Sequence, residues 1–274
     1  MKKILFLCDG DNFSKGAFEF IKQLSGRESV VVKGLFFTPI DIDQLVPISY
    51  MPISEPYVKL KEREQSLVQR SQQHFIQECE SFGIRHQVHS YTKEWNKEIL
   101  EKESRYSDLV IISEELFCCD ALDKQPNYFM EETLRLAECP VIVVPENFRS
   151  IEKLAVAYDG RKEGMFALKQ FVYLFPELME LPTEFVHFKK DANGEIPDQD
   201  LLHEYTRAHF EAQYTSKLNF DPKKYFTSWL DNKKNVFLIT GSFSRSAVSN
   251  MFRESFAKEV IFRHSCPIFI AHSS

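Results

Sequence analysis

Two aspartates end apolar runs of the sequence, and a glycine follows each of them. Asp9 follows the run Leu5–Cys8, and Asp159 follows the run Ala155–Tyr158. A strand that ends in Asp-Gly places a carboxylate at the carboxyl edge of a sheet, where open α/β sheets bind their ligands. The alternative interpretation is that each aspartate only forms the turn into the next element, as Asp-Gly pairs commonly do.

A stretch of small and hydroxyl-bearing residues follows another predicted strand in the second half. It begins at Gly241, directly after Asn235–Thr240, and reaches Ser255 near the start of a predicted helix. Free backbone amides and hydroxyls ahead of a helix suit a phosphate, and Arg245 and Arg253 add positive charge. Ser255 equally fits the role of N-cap for that helix. The candidate nucleotide-binding residues are Asp159, Gly241, Ser242, Ser244 and Ser255.

Strands and helices are predicted to alternate along the first half of the chain. Apolar runs predict the strands, and apolar positions at helical spacing predict the helices. The predicted strands are Lys3–Cys8, Val30–Phe37, Arg85–Tyr91, Asp108–Ser113 and Val141–Val144. The predicted helices are Asn12–Leu24, Val58–Phe82, Trp95–Tyr106 and Phe129–Glu138.

The second half repeats this order in a shorter form. Its predicted strands are Lys153–Tyr158, Thr183–Phe188, Lys217–Phe220, Asn235–Thr240 and Pro267–Ala271. Its predicted helices are Gly164–Phe175, Gln199–Tyr214, Pro222–Asp231 and Glu254–His264. Asp159 follows Asp9 by 150 residues, whereas Cys266-Pro267 follows Cys139-Pro140 by 127. The pattern predicts two copies of one α/β domain, residues 1–149 and 150–274, each a doubly wound, five-stranded parallel sheet.

The segment Pro39–Tyr57 is rich in proline and in apolar side chains. We expect an irregular loop that covers its own domain or the neighbouring one, because so many apolar side chains are unfavourable in water. Deletion of the loop should therefore expose apolar surface and lower solubility. The adjacent cysteines Cys118 and Cys119 leave a redox role or binding of a soft metal open.

Composition excludes several classes of function. The chain has 274 residues, a net charge of −6 and 43% hydrophobic residues, which fits two ordinary globular domains. An acidic balance does not favour nucleic acid or an anionic membrane surface as a partner. No apolar run approaches the roughly 20 residues of a membrane span, and no signal peptide is recognised. The expected location is the cytoplasm.

Neither a metal site nor a catalytic site is predicted. His86 and His89 are three residues apart on a predicted strand and point to opposite faces. His203 and His209 are six residues apart on a predicted helix, so they lie too far round the helix to bind the same metal ion. The common signatures of serine hydrolases, P-loop proteins and zinc proteases are absent from the sequence. The expectation is therefore a protein that is not an enzyme.

The order strand-Asp, strand-Gly, helix and Cys-Pro-strand resembles the universal stress protein family over the whole chain. The resemblance implies a Rossmann-like fold of the adenine nucleotide alpha hydrolase type, with strand order 3-2-1-4-5 in each half. It also implies that the two last strands lie at a pseudo-twofold axis, which makes an internal pseudo-dimer, with a homodimer as a further option. Protein partners are expected but cannot be named. In family members that bind ATP, the strand-1 aspartate contacts the adenosine and a glycine motif wraps the phosphates.

The motif that the family uses for phosphates is degraded in this sequence. The second half has Gly241, Ser244, Glu254 and Ser255 at the motif positions, and a shift of 127 residues gives Glu114, Phe117, Asn127 and Tyr128 in the first half. A carboxylate at Glu254 would repel a phosphate by roughly 4 kcal/mol at about 4 Å. The sequence therefore predicts a non-catalytic stress protein without a cofactor, and Glu254→Gly should strengthen nucleotide binding. The alternative is a nucleotide-responsive binding protein with weak ATP or AMP affinity in the second half.

Overall fold

The structure is a computed structural model. It describes residues 1–9, 13–37, 55–90, 97–113, 128–188, 195–218, 229–230, 233–241 and 266–271. Within these ranges the strands are β1 (Lys2–Asp9), β2 (Val30–Phe37), β3 (Arg85–Ser90), β4 (Leu109–Ser113), β5 (Val141–Val144), β6 (Lys153–Ala157), β7 (Thr183–Phe188), β8 (Gln213–Leu218), β9 (Val236–Gly241) and β10 (Ile268–Ala271). The helices are α1 (Lys15–Arg27), α2 (Glu55–Ser81), α3 (Lys97–Arg105), α4 (Tyr128–Leu136), α5 (Lys162–Leu174) and α6 (Gln199–His209), with a 3₁₀ helix at Pro176–Leu178.

The ten strands form a single sheet in the order β3-β2-β1-β4-β5-β10-β9-β6-β7-β8. The first five strands are parallel to one another, and so are the last five. Each set therefore has the order 3-2-1-4-5, and the predicted α/β fold class is confirmed. The two sets join through the antiparallel pair of β5 and β10.

The register of β5 with β10 defines a local twofold relationship. Ile142 pairs with Phe269, and Val141 pairs with Ile270. Ile142 and Phe269 are also the residues that correspond at the sequence offset of 127. Val141 faces Ile270, the counterpart of Val143, and Val143 faces Ile268, the counterpart of Val141. A register that is symmetric about one self-paired position is what a twofold axis through the pair Ile142 and Phe269 produces. The predicted position of the two last strands at the pseudo-twofold axis is confirmed.

Alternating side chains along the strands build an apolar core on each face of the sheet. On β1, Ile4 and Phe6 point to one core, and Leu5 and Leu7 point to the other. Helices α1, α2, α5 and α6 cover the first core, and α3 and α4 cover the second. The central strands β4 and β5 are buried along their whole length, as expected for parallel strands with helices on both faces.

The first core is continuous between the two halves of the chain. Phe20 on α1 makes an edge-to-face contact with Phe237 on β9, with ring centroids 5.4 Å apart. Lys2 on β1 places its Nζ 3.7 Å from Glu177 Oε1 and 4.6 Å from the ring centroid of Phe175. Burial lowers the pKa of Lys2, while the Glu177 carboxylate opposes that change. The two halves therefore share packing as well as backbone pairing.

Helix α6 and strand β8 differ from the prediction. The helix ends at His209 rather than Tyr214, and the strand begins at Gln213 rather than Lys217. Phe210 leaves the helix in an extended conformation, with its N–H bonded to the Thr206 carbonyl. Strand β8 is the outermost strand and mostly polar, so it lacks the apolar run that marks a buried strand.

The predicted loop Pro39–Tyr57 is wrong at its carboxyl end, because α2 begins at Glu55. Pro56 occupies the first turn of that helix, where its missing N–H breaks no helical hydrogen bond. Residues 38–54, the pair Cys118-Cys119 and the predicted helix Glu254–His264 lie outside the described residues.

Candidate functional site

The candidate site of the second half lies where β6 and β9 end side by side. The two strands are parallel neighbours up to the pair Val156 and Ile239. Asp159 follows β6 by two residues, and Gly241 is the last residue of β9. Both reach the same point on helix α5. A Cβ added at Gly164 would lie 3.1 Å from Asp159 Oδ1, and a Cβ added at Gly241 would lie 2.7 Å from the Gly164 nitrogen.

The Asp159 side chain is engaged with its own turn. Its Oδ1 accepts a hydrogen bond from the Arg161 backbone N–H at 2.9 Å, and its Oδ2 lies 3.7 Å from Arg161 Nε. Gly160 between them has φ +75°, and an added Cβ would lie 2.4 Å from the Pro197 Cβ. A left-handed conformation with no room for a side chain requires glycine. The Asp-Gly pair therefore forms the turn into α5, as the alternative interpretation states.

Gly241 is also held by packing. A Cβ at this position would lie 2.7 Å from the Gly164 nitrogen and 2.8 Å from the Glu163 carbonyl carbon. These are backbone atoms in the first turn of α5, which cannot move aside as a flexible side chain can. Glycine at the end of β9 thus lets the strand and the helix approach closely.

His187 completes the polar side chains at this edge of the sheet, and the sequence analysis did not select it. It lies on β7 and is 6% exposed. Its Nδ1 lies 3.0 Å from the Tyr158 carbonyl oxygen, which only accepts, so Nδ1 carries the hydrogen. Nε2 is buried and has no hydrogen-bond partner among the described residues. The signal in the sequence is a histidine within the apolar end of the strand, between Val186 and Phe188, directly beside the strand that leads to Asp159.

Tyr158 links the same turn to the start of α6. Its hydroxyl donates a hydrogen bond to the Pro197 carbonyl at 3.0 Å. Burial raises the pKa of this phenol, and the carboxylates of Asp198 and Asp159 raise it further. The phenol therefore stays protonated at neutral pH and keeps its donor role.

The first half has an apolar side chain where the second half has His187. Cys8 corresponds to Tyr158 by the offset of 150 residues, and Cys8 pairs with Phe36 across β1 and β2. Phe36 is therefore the counterpart of His187. Its ring is buried and packs edge-to-face on Phe75, with centroids 5.7 Å apart. Phe36 therefore offers no hydrogen-bonding group at the position that His187 occupies in the second half.

The strand register corrects the alignment of the glycine motif in the first half. Gly241 pairs with Ala271, and Ser113 pairs with Val144, the residue that precedes Ala271 by 127. The counterpart of Gly241 is therefore Ser113, and the predicted correspondence with Glu114 is wrong by one residue. The stretch from β4 to β5 is one residue longer than the stretch from β9 to β10. The Ser113 hydroxyl is buried without a hydrogen-bond partner among the described residues.

Much of the predicted phosphate cradle lies outside the described residues, and its role stays a prediction. This applies to Ser242, Ser244, Arg245, Arg253, Glu254 and Ser255, and to the side chain of Asp9. In the part of the chain that the structure describes, no group of three or more His, Cys, Asp or Glu side chains could hold a metal ion. Within the same ranges, no helix is long and apolar enough to cross a membrane.

The architecture is a Rossmann-like α/β fold, and two of the similar solved structures are described as universal stress proteins. A universal stress protein from Archaeoglobus fulgidus matches with a TM-score of 0.69 at 15% identity, covering 100% of this chain and 97% of that chain. A Pseudomonas aeruginosa protein assigned to the same family matches with a TM-score of 0.59 at 12% identity, covering 99% and 93%. A functionally unknown protein from Pseudomonas aeruginosa PAO1 matches with a TM-score of 0.59 at 12% identity, covering 99% of this chain and 92% of that chain. No family model and no curated protein sequence matches, so the resemblance is one of fold.

Proposed function

We propose that this chain is a non-catalytic universal stress protein of two tandem domains, residues 1–149 and 150–274. It acts in the cytoplasm through protein partners rather than through turnover of a substrate. Its nucleotide site is lost in the first half and degraded in the second. The similarity of fold to universal stress proteins over the whole chain supports the family.

The observation that carries this proposal is that Asp159 and Gly241 already have local structural roles. Asp159 accepts the Arg161 N–H, and Gly241 is needed for contact with the first turn of α5. Both residues can therefore persist without a ligand to select them. Phe36 supports the loss of the site in the first half, because it is a buried apolar residue where the second half has His187.

A second candidate function is a nucleotide-responsive binding protein with weak ATP or AMP affinity. The unpartnered Nε2 of His187 favours it, because a buried acceptor without a partner costs about 1–3 kcal/mol unless a ligand or water satisfies it. The first half has no equivalent of this acceptor, since Phe36 occupies the position. We expect any remaining affinity in the second half, where Asp159 and Gly241 meet at the start of α5.

Calorimetric titration with ATP and AMP separates the two functions. The proteins compared are the wild type, Asp159→Ala and Asp9→Ala. We expect ATP binding weaker than about 0.1 mM in the wild type, which is near −5.5 kcal/mol or less favourable. Asp159→Ala should abolish what remains, and Asp9→Ala should change nothing. Micromolar binding that survives Asp159→Ala but not Asp9→Ala would place the site in the first half and contradict the proposal.

A phosphate-release assay tests the absence of catalysis. Wild-type protein incubated with ATP should release phosphate no faster than a buffer control. Release that follows protein concentration and disappears in Asp159→Ala would show that the chain is an enzyme. Mass spectrometry of denatured, freshly purified protein would also identify any nucleotide that co-purifies.

A further inference from the structure

The connection between β5 and β6 lies along helix α1 instead of hanging free. We call residues 145–152 the connecting strap. Phe148 of the strap packs on Phe20 of α1, with ring centroids 5.2 Å apart. One turn further along, Gln23 Nε2 donates to the Arg149 carbonyl. The strap therefore follows the helix over successive turns.

Near its beginning, the strap places the carboxylate of Glu146 at the N-terminus of α1. Glu146 Oε2 accepts hydrogen bonds from Ser14 Oγ at 2.8 Å and from the Gly16 N–H at 3.3 Å, and Oε1 accepts from the Lys15 N–H at 2.9 Å. The first N–H groups of a helix lack helical partners and carry partial positive charge. Glu146 thus supplies the negative group that this helix end favours, from a position 130 residues along the chain.

Gly16 is shaped for the same contact. A Cβ added there would lie 2.1 Å from the Pro145 carbonyl oxygen and 2.7 Å from the Glu146 Cα. Those atoms belong to the backbone of the strap, so any side chain at position 16 would push the strap away from the helix. The glycine and the carboxylate are separate features that serve one docking contact.

Helix α5, the counterpart of α1, is held differently. Its N-cap is Arg161, which makes no side-chain capping bond. Within the described ranges, the carboxylate bonded at this helix start is Asp159 from the adjoining turn. Occupation of a helix start by a distant carboxylate is therefore a feature of the first half.

We propose that Glu146 is an internal anion latch. Its carboxylate occupies the position at the α1 N-terminus where a small external anion would bind, and it thereby fixes the strap and the second half that follows. The latch needs no nucleotide, so it is independent of the function proposed above. Loss of the Glu146 carboxylate should loosen the strap and leave a vacancy that a small carboxylate or inorganic phosphate can fill.

The test compares Glu146→Ala with Glu152→Ala, a matched change on the same strap. Glu152 is exposed and accepts from Asn235 Nδ2 at 2.7 Å, away from the helix start. Amide hydrogen exchange at Lys15 and Gly16 should quicken by about tenfold or more in Glu146→Ala, because each amide loses a bond to a charged group. Exchange at these two amides should not change in Glu152→Ala.

Chemical rescue then tests the anion. Formate or inorganic phosphate, at ionic strength held constant with chloride, should raise the unfolding temperature of Glu146→Ala in a saturable way. The wild type and Glu152→Ala should respond only weakly. Gly16→Ala, whose Cβ would displace the strap together with Glu146, should also lose protection of these amides. Unchanged exchange in Glu146→Ala, or equal anion responses in all proteins, would overturn the latch. If Glu146→Ala does not fold, Glu146→Gln tests the charge instead: it should lose part of the protection at Lys15 and Gly16, and unchanged exchange there would equally overturn the latch.

Discussion

Lys33 and Glu184 occupy the same position in the two halves of the sheet and carry opposite charges. Lys33 pairs with Leu5, and Glu184 pairs with Ala155, which follows Leu5 by 150 residues. Lys33 Nζ donates to both carboxylate oxygens of Glu103 at 2.6 and 2.8 Å. The charge at this position therefore differs in sign between the two halves, and each charge has a partner of opposite sign.

The pair of Glu184 with Lys233 can be tested by removing one partner or both. Lys233 Nζ lies 2.6 Å from Glu184 Oε2, and Glu184 is buried. Lys233→Met should lower the free energy of unfolding by about 1–3 kcal/mol, because it leaves a buried carboxylate without its cation. The double variant Lys233→Met/Glu184→Leu should recover most of the loss in urea unfolding. The control is Lys102→Met, which removes the exposed pair of Lys102 with Glu98. Its free energy of unfolding should stay within about 0.5 kcal/mol of the wild type.

Gly241→Ala should destabilise the fold although it adds only one methyl group. The new Cβ would meet the backbone of α5 at 2.7 Å, and overpacking of this kind costs about 1–3 kcal/mol. The control is Gly26→Ala near the end of α1, where an added Cβ meets nothing within 4 Å. That change should stabilise by about 0.5–1 kcal/mol, because alanine favours a helix. Equal effects in thermal unfolding would show that close packing is not the reason for Gly241.

His187→Phe tests whether the buried imidazole contributes to nucleotide affinity. The change copies Phe36 of the first half and removes the unpartnered Nε2. If the second half binds ATP weakly through this acceptor, the affinity should fall by about tenfold, the size of one hydrogen bond. His203→Phe, on helix α6, is the control. Binding by His187→Phe that equals the wild type, in the same titration, would remove His187 from the site.

Glu132 predicts a specific dependence of stability on acid. Its hydrogen bonds with Arg135 and Lys97 hold the pKa of the carboxyl below its ordinary 4.5. A carboxyl with a lowered folded pKa stabilises the fold fully above 4.5, and this contribution is lost as pH falls through the folded value. Glu132→Gln should therefore be less stable than the wild type at neutral pH, and the difference should shrink as the pH falls below 4.5. A difference in urea unfolding that is constant with pH would contradict this assignment.

Buried strands could be predicted from the sequence with good bounds, and exposed edges could not. Val141–Val144 matches its prediction because an apolar run marks it. Strand β8 was placed too late, since a polar edge strand has no such run. The presence or absence of an apolar run thus explains the misplaced strand β8, but it does not explain what the prediction of the site missed.

The site depended on relationships that no local pattern contains. The match of Ser113 with Gly241 follows from strand register, because a one-residue difference in a later segment changes the offset. His187 resembles an isolated core histidine until its bond to the Tyr158 carbonyl is seen. The contact of Glu146 with α1 joins residues 130 positions apart, and nothing in the sequence near either partner indicates it.

The antiparallel pair of β5 and β10 has a consequence for how this protein can change over evolution. In a dimer of identical subunits, every substitution appears twice, once on each side of the axis. Here the two sides of the axis belong to one chain, so each side can mutate alone. Phe36 corresponds to His187, and Lys33 corresponds to Glu184. A dimer of identical subunits could not carry such differences between its two halves. With both sides of the axis in one chain, the two halves can therefore take different roles.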